Sequence, residues 1–148
     1  RCEDLGAKCS INYKNNDFAE VLLEKTNNKG MNLILDMVGG AYTTRNISIM
    51  ANDARLVLIG FLGGHEANVN FTQVMMKRLI ITGSTLRPQS DNKKTEIAEG
   101  LVQEVWPLID SGKIKPVMDS TYTIEEVIEA HKRLESPDHI GKITLKVL

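Results

Sequence analysis

The chain has 148 residues, of which 42% are hydrophobic and 25% are charged, and its formal net charge at pH 7 is −1. This composition is typical of a small globular protein, and the near-neutral charge gives no electrostatic basis for binding nucleic acid or an anionic membrane surface. The apolar runs are too short to span a bilayer, so we expect a cytoplasmic protein without membrane insertion.

The cysteines and histidines do not follow the spacing of a metal centre. Cys2 and Cys9 lie near the N-terminus, and the three histidines are scattered along the chain. A structural zinc site needs four ligands, usually arranged in close pairs. We therefore predict no metal site and two reduced thiols, with a short-loop disulfide between the two cysteines as the alternative.

The first part of the chain alternates short apolar runs with helical patterns. These runs predict four strands, over residues 9–13, 31–37, 55–61 and 79–85. Between them we expect helices that begin after Asp17, near Tyr42 and after Asn70, and a turn at residues 52–53. Such alternation favours βαβ units with right-handed crossovers in a parallel sheet.

The pattern changes after Arg87, and we predict a domain boundary there, giving domains 1–87 and 88–148. A polar loop over residues 88–92 precedes a long amphipathic helix over residues 95–109, which Ser111 and Gly112 end. The remaining predicted elements are a short extended edge segment over 113–118, a helix opened by a capping box at 123–126, and a strand over 143–147.

Two of the predicted strands end in paired glycines. The run LILDMV precedes Gly39-Gly40, and the run LVLIGFL precedes Gly63-Gly64. In an open parallel sheet, ligands bind beyond the carboxyl ends of the strands, and glycine lets main-chain groups approach a ligand closely. The pattern therefore predicts a small-molecule site, most simply for a nucleotide, while two tight turns without a ligand are the alternative.

Six short motifs resemble one known family in their order and spacing. They are INYK at 11–14, LDMVGG at 35–40, GFLGG at 60–64, TGSTLR at 82–87, VWPL at 105–108 and HIGKI at 139–143. The family is the quinone oxidoreductases of the zinc-independent branch of the medium-chain dehydrogenase/reductase superfamily, and the nearest groups are the zeta-crystallin-like and p53-inducible quinone reductases. The resemblance covers essentially the whole chain.

The resemblance implies only the C-terminal part of a two-domain enzyme. It implies an α/β fold in which residues 1–87 form a partial Rossmann domain, a doubly wound parallel sheet without its first strand and Gly-rich loop. Residues 88–148 then form helices and a strand that return to the catalytic domain. The sequence contains no Gly-x-Gly-x-x-Gly. The pyrophosphate site and the residues that distinguish NADPH from NADH are therefore expected upstream of Arg1.

The resemblance also implies which residues contact the cofactor. Along the chain these are Tyr13 at the adenosine ribose phosphate, Val38 and Gly39 at the ribose, Phe61, Leu62, Gly63 and Gly64 at the nicotinamide ribose, and Thr85, Leu86 and Arg87 beside the nicotinamide. The resemblance implies His139 as a further cofactor contact, at a position near the cofactor where relatives often have Asn. The alternatives are that Tyr13 packs on a helix, that Arg87 is a solvated cation and that His139 is an ordinary surface histidine.

The implied activity is hydride transfer from NADPH to a quinone or another activated carbonyl compound. We predict no catalytic acid, base or nucleophile in this chain, and we expect the 148 residues alone to bind NADPH poorly and to be inactive. Relatives pair through the strand over 79–85, so we predict a homodimer. A non-catalytic remnant that only dimerises is the alternative, and a methyltransferase that uses S-adenosylmethionine is a weaker one.

Overall fold

The computed structural model describes residues 1–147. The chain divides into two compact units, Arg1–Pro88 and a second unit that begins at Gln89. The sequence pattern places its predicted boundary at residue 87. The assignment of the two units to particular domains of a larger enzyme stays a prediction.

The first unit is a three-stranded parallel sheet with helices in its crossovers. Its elements in chain order are α1 (Phe18–Lys25), β1 (Met31–Asp36), α2 (Ala41–Ser48), β2 (Met50–Leu58), α3 (Phe71–Met76) and β3 (Ile80–Gly83). The strands lie in the order β1-β2-β3, and both pairs are parallel. The predicted α/β class with a parallel sheet is confirmed.

Side-chain caps set where the helices of this unit begin. Asp17 accepts hydrogen bonds from the main-chain N–H groups of Ala19 (2.8 Å) and Glu20 (3.4 Å), which start α1. Asn70 accepts from the N–H of Thr72 at 3.0 Å and starts α3 in the same way. Both caps satisfy N–H groups that have no partner inside the helix, as the sequence pattern predicts.

The core of the first unit lies on one face of the sheet. It is built from buried apolar side chains of α2, β2 and the segment before β3, namely Ile47, Met50, Ala54, Leu56 and Leu79. Leu33, Leu35 and Ile80 alternate with the core-facing positions, so they belong to the opposite face, and all three are exposed. Within residues 1–88, one face of the sheet is therefore left largely uncovered.

The predicted strand over residues 9–13 is wrong. Residues 9–12 have no regular structure and residues 13–15 form a turn, beside which the Asn12 side chain accepts a hydrogen bond from the N–H of Lys14 at 3.0 Å. The Asn12 carbonyl also accepts from Asn15 and Asn16, each at 3.1 Å. Asn side chains readily bond to nearby main chain, and this local bonding replaces an extended conformation.

The predicted turn at residues 52–53 lies inside β2, which begins at Met50 rather than at residue 55. Asp53 adopts a left-handed conformation with φ of 59°, and the β1–β2 register shifts between Met31 and Leu33. The turn-forming residues therefore make an irregularity within the strand, since the main chain continues to pair on either side of it.

The second unit combines an interrupted helix, a two-stranded sheet and a final helix. Its elements are α4 (Asp91–Gly100), a π-helical turn (Leu101–Val105), α5 (Trp106–Asp110), β4 (Met118–Thr123), a 3₁₀ turn (Ile124–Glu126), α6 (Val127–Glu135) and β5 (Lys142–Lys146). β4 and β5 pair in parallel. In the part of the chain that the structure describes, no helix is both long and apolar enough to cross a bilayer.

The long helix predicted over residues 95–109 begins earlier and is interrupted. Ser90 accepts a hydrogen bond from the N–H of Lys93 at 3.3 Å, and this cap starts α4. The π-helical turn ends just before Pro107. Proline has no N–H to donate, and its ring would clash with the carbonyl four residues earlier in a regular α-helix, so the widened turn accommodates it.

The extended edge segment predicted over residues 113–118 is also misplaced. β4 begins at Met118 and continues to Thr123, so most of the predicted segment, including Pro116, precedes the strand. The predicted capping box is confirmed, because Thr123 and Glu126 exchange side-chain and main-chain hydrogen bonds. This box starts the 3₁₀ turn that leads into α6.

Candidate cofactor site at the strand ends

The three parallel strands of the first unit end side by side. Asp36 at the end of β1 pairs with Leu58 at the end of β2, and Leu58 pairs with Gly83 at the end of β3. The segments that follow these strands contain most of the residues that the sequence predicts as cofactor contacts. The structure therefore places the segments 37–40, 59–64 and 84–87 at one edge of the sheet.

Two of these segments are joined by main-chain hydrogen bonds. The N–H of Leu62 donates to the carbonyl of Met37 at 3.1 Å, and the N–H of Gly63 donates to the carbonyl of Val38 at 2.7 Å. Strand-like pairing thus continues past the ends of β1 and β2. Val38, Gly39 and the loop over 61–64 consequently form one connected surface.

The paired glycines are required by this loop contact. Gly39 and Gly40 have φ values of 68° and 53°. A Cβ on Gly39 would lie 2.6 Å from the carbonyl oxygen of Gly64, and a Cβ on Gly40 would lie 2.5 Å from that of Gly63. The close approach that the sequence pattern attributes to a ligand is therefore made by the neighbouring loop, which is the tight-turn alternative for these positions.

Asp36 organises the same edge, although it is not among the residues predicted from the sequence. Its carboxylate accepts from the N–H groups of Val38 (2.7 Å) and Gly39 (3.1 Å), and from the Asn46 side-chain amide (3.0 Å). The residue is buried, with 4% of its surface exposed. An acidic residue just before a glycine pair, in an otherwise apolar strand, is the sequence signal that could have identified it.

The outer part of the edge is apolar. Phe61 is half exposed and Leu62 is 83% exposed, so both present large apolar surfaces beyond the strand ends. Thr85, Leu86 and Arg87 follow β3, and all three are exposed. The edge thus combines hydrogen-bonded loops with an uncovered apolar surface, which is the composition expected where a flat organic ring binds.

Two predicted residues belong to other segments of the chain. Tyr13 is exposed and lies in the turn before α1, because the strand that was expected to end there does not form. His139 belongs to the second unit, in the loop between α6 and β5, with its Nδ1 2.7 Å from the carbonyl oxygen of Ser136. The structure thus brings together the predicted residues at the ends of β1, β2 and β3, and Tyr13 is not among them.

A family model described as zinc-binding dehydrogenase matches residues 5–145. The chain belongs to the zinc-binding dehydrogenase family. This membership confirms the medium-chain dehydrogenase and quinone oxidoreductase-like resemblance of the motifs. The methyltransferase hypothesis gains no support from it.

Individual relatives match nearly the whole chain at low identity. The synaptic vesicle membrane protein VAT-1 homolog of Danio rerio is 28% identical, over 95% of this chain and 32% of its own length. Quinone oxidoreductase-like protein 2 of Bos taurus is 26% identical, over 96% of this chain and 40% of its own length. The chain thus spans well under half the length of these curated relatives.

A solved structure supports the fold. An NAD-dependent alcohol dehydrogenase superposes with a TM-score of 0.79 at 27% identity, over 99% of this chain and 40% of that protein. Three adjacent parallel strands with helices in their crossovers agree with the partial Rossmann sheet that the resemblance implies. The fold class predicted from the sequence is confirmed.

The family name implies zinc, but the described residues do not fit a zinc site. Within residues 1–147, no three side chains of His, Cys, Asp or Glu come together as metal ligands would. Cys2 and Cys9 are free thiols, the first exposed and the second half-buried. Four-coordinate protein zinc needs at least three such ligands, so no step of the chemistry is assigned to zinc bound by these residues.

Proposed function

We propose that the chain is the nicotinamide-side part of an NADPH-dependent quinone oxidoreductase, which transfers a hydride to a quinone or another activated carbonyl compound. The decisive observation is that the segments after β1, β2 and β3, which match the family's cofactor contacts, lie side by side at one sheet edge. In open parallel sheets this is the edge where ligands bind. The name of one relative, quinone oxidoreductase-like protein 2, supports the substrate class.

In this proposal the bound nicotinamide supplies the hydride, and the protein orients the ring and excludes water. Phe61 and Leu62 offer the exposed apolar surface against which a flat ring can pack. The bond between Gly63 and Val38, at 2.7 Å, holds that loop to the end of β1. Asp36 acts indirectly, because its carboxylate accepts hydrogen bonds from the N–H groups of residues 38 and 39 and so holds this segment in place.

The phosphates of NADPH are the part of the cofactor for which this sequence contains no recognised binding motif. Dinucleotide-binding domains hold the pyrophosphate at a Gly-rich turn before a helix, and this sequence lacks that motif. We therefore propose that the 148 residues alone bind NADPH weakly and do not turn over. Tyr13 and His139 stay predicted cofactor contacts.

We also propose a cytoplasmic location for the protein. The two free thiols support this location, because disulfides are rare in the cytosol.

Reduced nicotinamide mononucleotide, the half of the cofactor that this chain is proposed to contact, tests the assignment directly. In an amide NMR titration at millimolar concentration we expect shifts for residues 38–39, 61–64 and 85–87. The internal control is the cleft of about 490 Å³ beside the start of β1 and β2, lined by residues that include Asn28, Lys29 and Asn52. Shifts confined to that cleft, or no shifts at all, contradict the proposal.

NADPH itself provides the complementary test. An upstream-extended chain that includes a Gly-rich phosphate loop should bind NADPH much more tightly than the 148 residues, because it adds the pyrophosphate anchor. Tight binding of NADPH by the 148 residues alone would contradict the proposal that the pyrophosphate anchor lies outside them. Reduction of a quinone by the extended chain, with alcohol oxidation as the comparison reaction, tests the substrate class.

A dimerising remnant without catalysis is the second candidate, and the exposed edge of the sheet favours it. β3 pairs with β2 on one side only within the described sheet, and both Ile80 and Ile81 are exposed. The N–H of Ser84 donates to Leu58 at 3.1 Å, so by alternation the N–H of Ile81 points to the outer edge. An unpaired edge of this kind can pair with a second copy.

Molar mass in solution, measured by light scattering, tests the dimer. We propose that the chain dimerises through β3, so Ile81→Pro, which removes the outward N–H, should give a monomer. Ile81→Ala is the matched control, because it shortens the side chain and keeps the N–H, and it should stay dimeric. A monomeric wild-type chain, or a dimer that survives the proline, excludes this interface.

A further inference from the structure

The first unit has a second concave feature, a cleft of about 490 Å³ at the edge where its strands begin. Its walls include Gly30, just before β1, and Met50, the first residue of β2. Because β1, β2 and β3 are parallel, this edge is at the other end of the strands from the segments 37–40, 59–64 and 84–87. A ligand in this cleft would therefore be distinct from a cofactor at the strand ends.

The charged residues that line the cleft are both lysines. They are Lys29 and Lys77, and neither Asp nor Glu is among the lining residues. Asp53, which follows the lining residue Asn52, is already engaged by Arg78, with Nε at 2.7 Å and Nη2 at 2.5 Å. The cleft therefore carries positive charge that no lining acidic side chain neutralises, which favours an anionic ligand.

The ammonium group of Lys77 is fixed in the wall of the cleft. Its Nζ donates to the carbonyl oxygens of Ser48 at 3.1 Å and Met50 at 2.9 Å, and both of these residues line the cleft. An ammonium group has three N–H donors, so one is left for a ligand. Lys77 is half-buried, and salt screens such a charge less than an exposed one.

The helix ends beside the cleft do not cancel this positive charge. Helix C-termini carry partial negative charge on their last carbonyl groups, and α1 and α2 both end here. The carbonyls of Leu22 and Leu23 accept from the Thr26 hydroxyl at 2.7 Å and 3.2 Å, and that of Leu23 also accepts from the N–H of Asn28 at 2.7 Å. Lys77 binds the last carbonyl of α2. The two ammonium groups are therefore the dominant charges of the cleft.

We propose that this cleft is a second ligand site, at which Lys29 and the remaining N–H of Lys77 bind the phosphate group of a small phosphorylated molecule. Lysine binds phosphate as a point charge, whereas paired recognition of a carboxylate typically uses arginine, and no arginine lines the cleft. Asn28 and Asn52, which also line it, have amide groups that can donate to phosphate oxygens. A phosphate group fills only part of the cleft, so the organic part of the ligand has room beside it. This inference does not depend on the proposed function.

Inorganic phosphate tests the site on the 148-residue chain by amide NMR, with chloride replaced so that the ionic strength stays constant. At millimolar phosphate we expect saturable shifts at residues 28–30, 48–52 and 77. Lys29→Gln should weaken binding roughly fivefold, because it removes one of the two charges. Lys14→Gln is the matched control, since Lys14 is an exposed lysine of the same unit outside the cleft, and it should bind phosphate as the wild type does.

A general charge effect would overturn the site. Its signs are shifts that chloride reproduces at equal ionic strength, equal weakening in the two lysine variants, or phosphate binding that Lys29→Gln leaves unchanged.

Glycerol phosphate tests the organic part of the ligand. It should bind more tightly than inorganic phosphate, because the rest of the cleft contacts the glycerol group, and equal or weaker binding would reject a phosphorylated organic ligand. Saturating phosphate occupies this cleft and leaves the nicotinamide contacts at the strand ends free. The titration with reduced nicotinamide mononucleotide, carried out in its presence, therefore tests the proposed function separately.

Discussion

Gly40 packs against the main chain of Gly63, and an added Cβ on Gly40 would lie 2.5 Å from the Gly63 carbonyl oxygen. This contact joins the loop after β1 to the loop after β2. The two glycine pairs, each of which follows a strand in the sequence, therefore pack against each other in the structure. Any ligand at this edge therefore meets a surface whose shape depends on both loops.

We predict that Gly40→Ala destabilises the first unit by at least about 2 kcal/mol, because a left-handed φ and a main-chain clash both oppose the side chain. Thermal unfolding followed by circular dichroism measures the loss. Gly100→Ala is the control, since Gly100 has helical angles and open space around it. That change should be neutral or stabilising by up to about 1 kcal/mol. Equal behaviour of the two variants would contradict the packing.

The carboxylate of Asp36 should be needed for the stability of the strand-end loops. Asp36→Ala leaves the N–H groups of Val38 and Gly39 without their acceptor, so we expect a loss of roughly 2–4 kcal/mol in the free energy of unfolding. Asp36→Asn keeps one acceptor oxygen for these N–H groups, and the Asn46 amide can rotate so that its oxygen accepts from the new NH₂ group. The loss of stability in Asp36→Asn should therefore be clearly smaller. Urea unfolding distinguishes the two, and an Asn variant as unstable as the Ala variant would show that charge is essential.

The two faces of the sheet should respond differently to the same substitution. Leu56 is fully buried, whereas Leu35, on the neighbouring strand, is 66% exposed. Leu56→Ala is expected to cost about 2–5 kcal/mol, and Leu35→Ala about 0.5 kcal/mol or less. If unfolding measurements give Leu35→Ala a large cost, another polypeptide segment or a second copy covers that face in solution.

The free energy of unfolding of the second unit should depend on pH because of the Asp119 carboxylate. Hydrogen bonds from Arg133, then from Ile140 and Ser120, hold the pKa of Asp119 well below its ordinary value. A lowered folded-state pKa contributes stability that is present above the unfolded pKa of about 3.9 and is lost as the pH falls further. Urea titrations between pH 6 and 2.5, followed by amide NMR, should show stability falling only below about pH 4.

Asp119→Asn provides the control for this pH dependence. The variant cannot ionise at this position, so its second unit should be less stable near neutral pH and should lose less stability on acidification. Asp53, paired with Arg78 in the first unit, also has a lowered pKa, but the pair is exposed and screened, so its contribution should be minor. A wild-type second unit whose stability is unchanged between pH 6 and 2.5 would contradict the role of the Asp119 network.

Sequence patterns predicted correctly what local chemistry controls. Asp17 and Asn70 cap their helices, and Thr123 with Glu126 forms the expected capping box. The apolar runs before Gly39 and Gly63 contain strands of a parallel sheet, as predicted. These features depend on neighbours within a few positions, so composition and spacing are sufficient to identify them.

The errors occurred where a competing local bond or a distant partner decided the outcome. Asn12 forms a turn in place of a strand, and Asp53 enters a strand irregularity in place of a turn. Pro107 is accommodated in the helix because a π-helical turn precedes it, and the spacing of apolar residues does not reveal this turn. Only residues 52–53 were predicted as a turn, whereas Asn12 was placed in a strand and Pro107 in an uninterrupted helix, and in all three cases the outcome depended on which main-chain partners were available.

By itself, the sequence determined the alternation of strands and helices, their caps, the family and the candidate contacts after three strands. Only the tertiary structure decided that Gly40 is opposed by Gly63, that Asp36 holds the intervening loop and that Asp119 bonds to Arg133 and Ile140. The physical reason is that these contacts join positions far apart along the chain. Strand register and helix packing determine the distances between them, and no local pattern encodes either.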